Sequence, residues 1–123
     1  MVIEGCLIGE SLRAGSVFEP AGLRIRRITR MQVADPAPTQ PPVWTVIDFA
    51  ADDADPGQLA ALLAECLRPD GGWYADFTAG AEHYIVFGGR SFHYRRGDEQ
   101  ARAAAAAYGR TVGVPEHQLD WRD

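Results

Sequence analysis

The sequence predicts a mixed α+β domain: an antiparallel sheet of about five strands in the order ββαβββα, with two helices on one face. Three observations predict it. Apolar residues alternate with a period near two over residues 23–33, and turn signals divide residues 73–96 into short strands. Two helices carry their own start signals, at Asp55 and Asp98. Glycine and proline clusters fall between these segments. Strands and helices in this order bury their apolar faces most simply by packing the helices on a sheet.

Residues 6–13 read as a short strand or an N-terminal turn. Residues 14–22, with Gly15, Pro20 and Gly22, read as a loop. From Leu23 to Val33 the alternation places Arg24, Arg26, Arg30 and Gln32 on one face with Ile28. Leu23, Ile25, Thr29, Met31 and Val33 then share the other face with Arg27. Arg27 fits that drier face badly, and a bulge beside it would relieve the misfit. Residues 34–42 contain four prolines and read as a stiff, exposed loop inside one domain spanning residues 1–123. Val43 to Ala50 is apolar on both faces, as an inner strand covered twice would be, with Asp48 the exception.

The next segment is a helix. Asp55 is its N-cap, Pro56 suits the first position, and Gln58 takes the third place of a capping box. Leu59, Leu62, Leu63, Cys66 and Leu67 recur at helical spacing as one stripe. Pro69-Asp70-Gly71-Gly72 ends it. A three-strand meander follows, with turns at Ala79-Gly80-Ala81 and at Gly88-Gly89. Asp98 caps the second helix, whose Ala101, Ala104, Ala105 and Tyr108 form a small-residue face that can sit close to a sheet. Gly109 or Gly113 closes it, and the tail docks Leu119 and Trp121. If residues 82–95 made one long strand, the order would be ββαββα, a circular permutation of the ferredoxin-like arrangement.

Composition removes several chemistries. All 12 basic side chains are arginine. Without lysine there is no Schiff base and no phosphate-binding P-loop lysine. Asparagine is also missing, a bias expected of a GC-rich, bacterial coding sequence. The net charge of −5 disfavours general nucleic-acid binding. No run approaches the roughly 18–20 apolar residues of a membrane helix, and the N-terminus lacks the basic start of a secretory signal. A cytoplasmic location away from membranes is therefore expected, with Cys6 and Cys66 as free thiols and no cofactor.

The candidate residues fall into two groups. His93 and Asp48 are the acid–base candidates, with Asp76 a further carboxylate. Asp48 in an apolar strand needs a partner, and Arg27 or Arg30 is the expected one. His83 and His93 lie across the Gly88-Gly89 hairpin but point to opposite faces, so no metal site is expected. Arg24, Arg26, Arg30, Arg90 and Arg95 make the candidate binding face, with Trp44 and Trp73 as aromatic anchors. Residues 48–82 hold eight acids against the single Arg68, whereas residues 22–33 hold four arginines and no acid. Such charge separation favours a partner.

The reading that follows is a small non-catalytic interaction protein that binds a protein partner, or itself as a homodimer, through an arginine and aromatic sheet face. Bacterial inhibitor and immunity proteins are acidic domains of this general kind, an analogy of fold class alone. The alternative is a small enzyme or biosynthetic accessory protein holding an anionic small molecule, with His93 or Asp48 moving the proton.

Overall fold

The computed structural model describes residues 2–122. It shows a mixed α+β fold built on an antiparallel sheet. The strands are β1 (Val2–Ile8), β2 (Leu23–Gln32), β3 (Val43–Asp52), β4 (Ala75–Ala79), β5 (Glu82–Phe87) and β6 (Arg90–Arg95). The helices are α1 (Pro56–Cys66), between β3 and β4, and α2 (Glu99–Thr111), after β6. The spatial order is β2-β3-β1-β4-β5-β6, with every neighbouring pair antiparallel. Residues 82–95 form two strands joined at Gly88-Gly89, with Phe87 opposite Arg90, so the permuted ββαββα order does not apply.

The strand at the centre is the one the sequence marks least. β1 begins at Val2 and inserts between β3 and β4, which makes the sheet six-stranded. Its Ile3 and Leu7 are buried toward α1. Between them stands Gly5, where a Cβ would fall 2.4 Å from the Phe77 Cβ and 2.7 Å from the Phe49 ring. The Phe49 ring and the Phe77 Cβ close over the gap that glycine leaves, a use of glycine typical of strand interiors under close approach.

Successive residues of a strand point to opposite sides of the sheet. Ile3, Leu7, Phe49, Ala75, Phe77 and Val86 meet Leu59, Ala60 and Leu63 of α1. Ile85, Phe87 and Tyr94 meet Ala105 and Ala106 of α2, together with Leu119 and Trp121 of the C-terminal tail. The two sides are called the α1 side and the α2 side below. Helix α1 starts as predicted, with the Asp55 carboxylate accepting from the N–H groups of Gly57 (2.8 Å) and Gln58 (3.1 Å). Asp98 caps α2 by accepting from Ala101 N–H at 3.1 Å. The face of α2 turned inward is Ala105, Ala106 and Gly109, while Ala104 is exposed.

The register of β2 shifts between Ile25 and Arg27. This is the bulge that Arg27 requires, and it reverses the facing of everything after it. Arg24 and Arg27 pair with Ala50 and Asp48 on the α2 side, whereas Ile28 and Arg30 pair with Ile47 and Thr45 on the α1 side. The proline-rich loop is mostly exposed but is pinned by Gln40, which is buried. Its side chain donates to the carbonyls of Gly71 (3.2 Å) and Gly72 (3.0 Å) and accepts from Ala37 N–H (2.9 Å). Among the described residues no helix is long and apolar enough to cross a membrane.

Candidate functional site

On the α2 side, α2 covers β5 and β6 and leaves β2, β3 and β1 open. A polar row crosses this open half. Strand pairing sets Arg27 beside Asp48, Asp48 beside Cys6, and Cys6 beside Asp76. His83, on β5 and fully buried, closes the row with its Nε2 atom 2.8 Å from the Asp76 carboxylate. At the other end the Arg27 Nε donates to Asp48 at 3.2 Å. Asp48 therefore has the arginine partner that an acid in an apolar strand needs.

Burial foremost, with the carboxylates of Asp48 and Asp76 on either side, pushes the Cys6 thiol up to about 12. It stays a thiol at neutral pH, and a thiol is a poor nucleophile and metal ligand. Among the described residues no group of three or more His, Cys, Asp and Glu side chains could hold a metal ion.

Two hollows flank this row and share Cys6 and Asp76. The outer one, about 510 Å³, lies between Glu4, Asp48 and Thr78 and the arginines Arg26 and Arg27. The inner one is a trough of about 410 Å³. Ile8, Val46 and Met31 belong to its strand floor, and Trp44, Trp73 and Trp121 line it from three separate parts of the chain. Trp44 and Trp73 are buried, with ring centroids 5.2 Å apart, so they act as packed walls. The Trp44 Nε1 donates to the Pro41 carbonyl at 2.9 Å and the Trp121 Nε1 to the Tyr94 hydroxyl at 2.8 Å. The buried Trp73 Nε1 has no acceptor among the described residues. Tyr74, also on the wall, gives its hydroxyl proton to the Gln118 carbonyl, and burial raises its pKa.

The remaining candidates are spread over both edges. Arg24 pairs with Asp52 at 2.9 Å, Arg26 with Glu4 at 3.3 Å, and Arg30 with Glu10 at 3.1 Å. These pairs are largely exposed and hold the guanidinium groups in fixed positions along β2. Arg90 and Arg95 lie on β6, the opposite edge. Arg90 sits over Phe92 (4.7 Å) and Tyr108 (4.9 Å), in cation–π geometry. His93 is exposed and stacks on Tyr84, with centroids 4.9 Å apart, as Tyr84 stacks on Phe77. That stack faces α1, so His93 and the carboxylates of Asp48 and Asp76 lie on opposite sides of the sheet.

No family model, curated protein or solved structure matches the chain. Function has to be argued from the geometry. What the surface offers is a row of arginines along the β2 edge, an arginine and aromatic cluster at the β6 edge and a hollow α2 side. Asp76 was named from sequence as a further carboxylate beside His93 and Asp48, whereas Cys6, Tyr74 and Trp121 were not among the candidate site residues. The signal that could have found Cys6 is the β1 register, which sets it between two aspartates.

Proposed function

We propose that this domain is a non-catalytic interaction protein whose recognition element is β2, the free edge of the sheet. One observation carries the reading. β2 is ten residues long, has a neighbour on one side only, and leaves Ile25, Ile28 and Met31 between 42% and 58% exposed. A long free edge that exposes apolar side chains is a template for an added strand. The main-chain groups along its outer rim supply affinity, and the alternating side chains supply selectivity. Ile25 and Ile28 would meet the partner on the α1 side and Met31 on the α2 side. Arg24, Arg26, Arg27 and Arg30 are already oriented by their acids, which lowers the cost of ordering them in an interface. Arginine is also among the residues that interfaces favour. The partner is a protein that presents an extended segment with apolar side chains at alternate positions.

The test compares tagged wild-type chain with Ile28→Asp, in lysate of the source organism and by light scattering of the purified chains. Ile28 is more than half exposed, so the substitution leaves the circular dichroism spectrum unchanged. The wild-type chain holds one protein at a fixed ratio and the variant releases it. A wild-type dimer dissolved by the substitution makes the partner a second copy. A wild-type chain that stays monomeric and holds no protein at a fixed ratio removes the reading, as does a variant that binds equally well.

A further inference from the structure

We propose that the trough on the α2 side binds a small organic cation that carries an apolar group, such as a substituted ammonium. The size, lining and charge of the trough point the same way. Its volume of about 410 Å³ is that of a small-molecule site. Its floor and walls are apolar and aromatic, with Ile8, Val46 and Met31 below and the tryptophans around. Aromatic walls attract ammonium groups through the ring faces, and an apolar floor desolvates the attached carbon chain.

The charge is what selects the sign. In the outer hollow, the Arg26–Glu4 and Arg27–Asp48 pairs cancel locally. The trough itself is lined by Asp76 and Asp120 and by no arginine. Asp76 is held by His83 at 2.8 Å, and Asp120 is exposed at the rim. His117, the remaining basic group in the lining, is engaged with the Asp35 carbonyl at 2.8 Å. Arg102 lies over the Trp121 ring, 5.0 Å from its centre, and is not part of the lining. An anionic ligand would meet two carboxylates here, whereas a cation would meet complementary charge above an apolar floor.

All three tryptophans of the chain line the trough, so intrinsic fluorescence reports directly on its occupancy. The probes are phenyltrimethylammonium, benzyl alcohol and benzoate, titrated into the wild-type chain, Asp120→Asn and Val46→Phe. The expected result is a saturable change with the cation, at least about tenfold tighter than with benzoate. Asp120→Asn weakens it up to about fivefold, the range of an exposed charge pair. Val46→Phe fills the trough and abolishes it, with folding checked by urea melt. Should that variant fail to fold, the exposed Asp120 still carries the test. Equal response to cation and benzoate, or cation binding that survives both substitutions unchanged, overturns the proposal. Of β2 only Met31 reaches the trough, and neither Asp120→Asn nor Val46→Phe alters the exposed Ile25 and Ile28 of that edge, so the two readings fail separately.

Discussion

The imidazole of His83 is fully buried and lies 2.8 Å from the Asp76 carboxylate, which is itself partly open to solvent. A buried side chain thus fixes the position of the acid that sits between Cys6 and the trough. Hydrogen bonds to charged groups stabilise folded proteins by about 1.5–3 kcal/mol. His83→Phe keeps an aromatic ring, slightly larger than the imidazole, and loses the bond, so it should cost at least about that much in urea denaturation. Coupling is the sharper measurement. In a double-mutant cycle with Asp76→Asn, the two losses should fall short of additivity by about 1 kcal/mol or more. Additive losses would mean that the contact contributes nothing of its own.

Glu10 should confer a pH dependence of stability on the acid side. Burial alone would raise its carboxyl, but bonds from the Thr45 N–H (2.6 Å) and hydroxyl (2.9 Å), with Arg30 nearby, hold it below its ordinary 4.5. A carboxylate whose folded pKa is depressed stabilises the fold above the unfolded value, and the gain is lost as pH falls through the folded one. Stability should therefore drop below about pH 4.5. Glu10→Gln should cost about 1–2 kcal/mol at pH 7 and flatten that drop. A variant with the wild-type acid limb would place the titration elsewhere.

Cys6 makes the opposite prediction on the alkaline side. Its thiol is raised from 9.0 to about 12 in the folded chain. The unfolded state loses the proton first, so the folded state binds more protons between those values and stability falls as pH rises through them. Cys6→Ala should remove part of the alkaline loss, read as the difference between two urea series from pH 8 to 11. Tyr84 is also raised by burial and contributes equally to both series, so it cancels in the difference, whereas Tyr74 is raised by burial foremost and in small part by Cys6 itself, so that part goes with the thiol. A thiol-specific reagent at pH 7.5 should label the denatured chain fully and the native chain slowly, because Cys6 is half-buried and held as a thiol and Cys66 is buried. Fast native labelling of Cys6 would show a thiolate that the two aspartates should forbid.

Local signals made much of this fold legible. Asp55, Pro56 and the leucine stripe define α1 within about a dozen residues, and the Gly88-Gly89 turn fixes β5 against β6, including the opposed facing of His83 and His93. Arg27 even betrayed the bulge, since only a shift in register could bring it to Asp48. The consequence of that shift was harder to see. It sends Arg30 to the opposite side of the sheet from Arg24, and the mixed order of strands sends Arg90 and Arg95 to the far edge. The trough was not legible for a related reason. Its walls come from β1, β2, β3, the segment before β4 and the C-terminal tail, and no local pattern records that they meet.

β1 was the least legible element, and the reason yields the last prediction. A glycine at its midpoint breaks the apolar alternation and weakens any strand signal. In the folded chain that same glycine is required. A methyl group at Gly5 would meet the Phe77 Cβ at 2.4 Å, the Asp76 carbonyl oxygen at 2.6 Å and the Phe49 ring at 2.7 Å. Two of these are main-chain or near-main-chain atoms of a paired strand, which have little room to move. Overpacking of this kind costs about 1–3 kcal/mol, and here the strain falls on the strand that joins the two halves of the sheet. Gly5→Ala should therefore lose at least about 2 kcal/mol in urea denaturation, although alanine has the lower backbone entropy cost. Enlarging the space should return part of it: Phe49→Leu, itself destabilising, removes the ring atom at 2.7 Å and should be less so in the Gly5→Ala background than alone. If Gly5→Ala is neutral or stabilising, the Phe49 ring and β4 do not close over β1 as described, and the packing of the central strand pair is wrong.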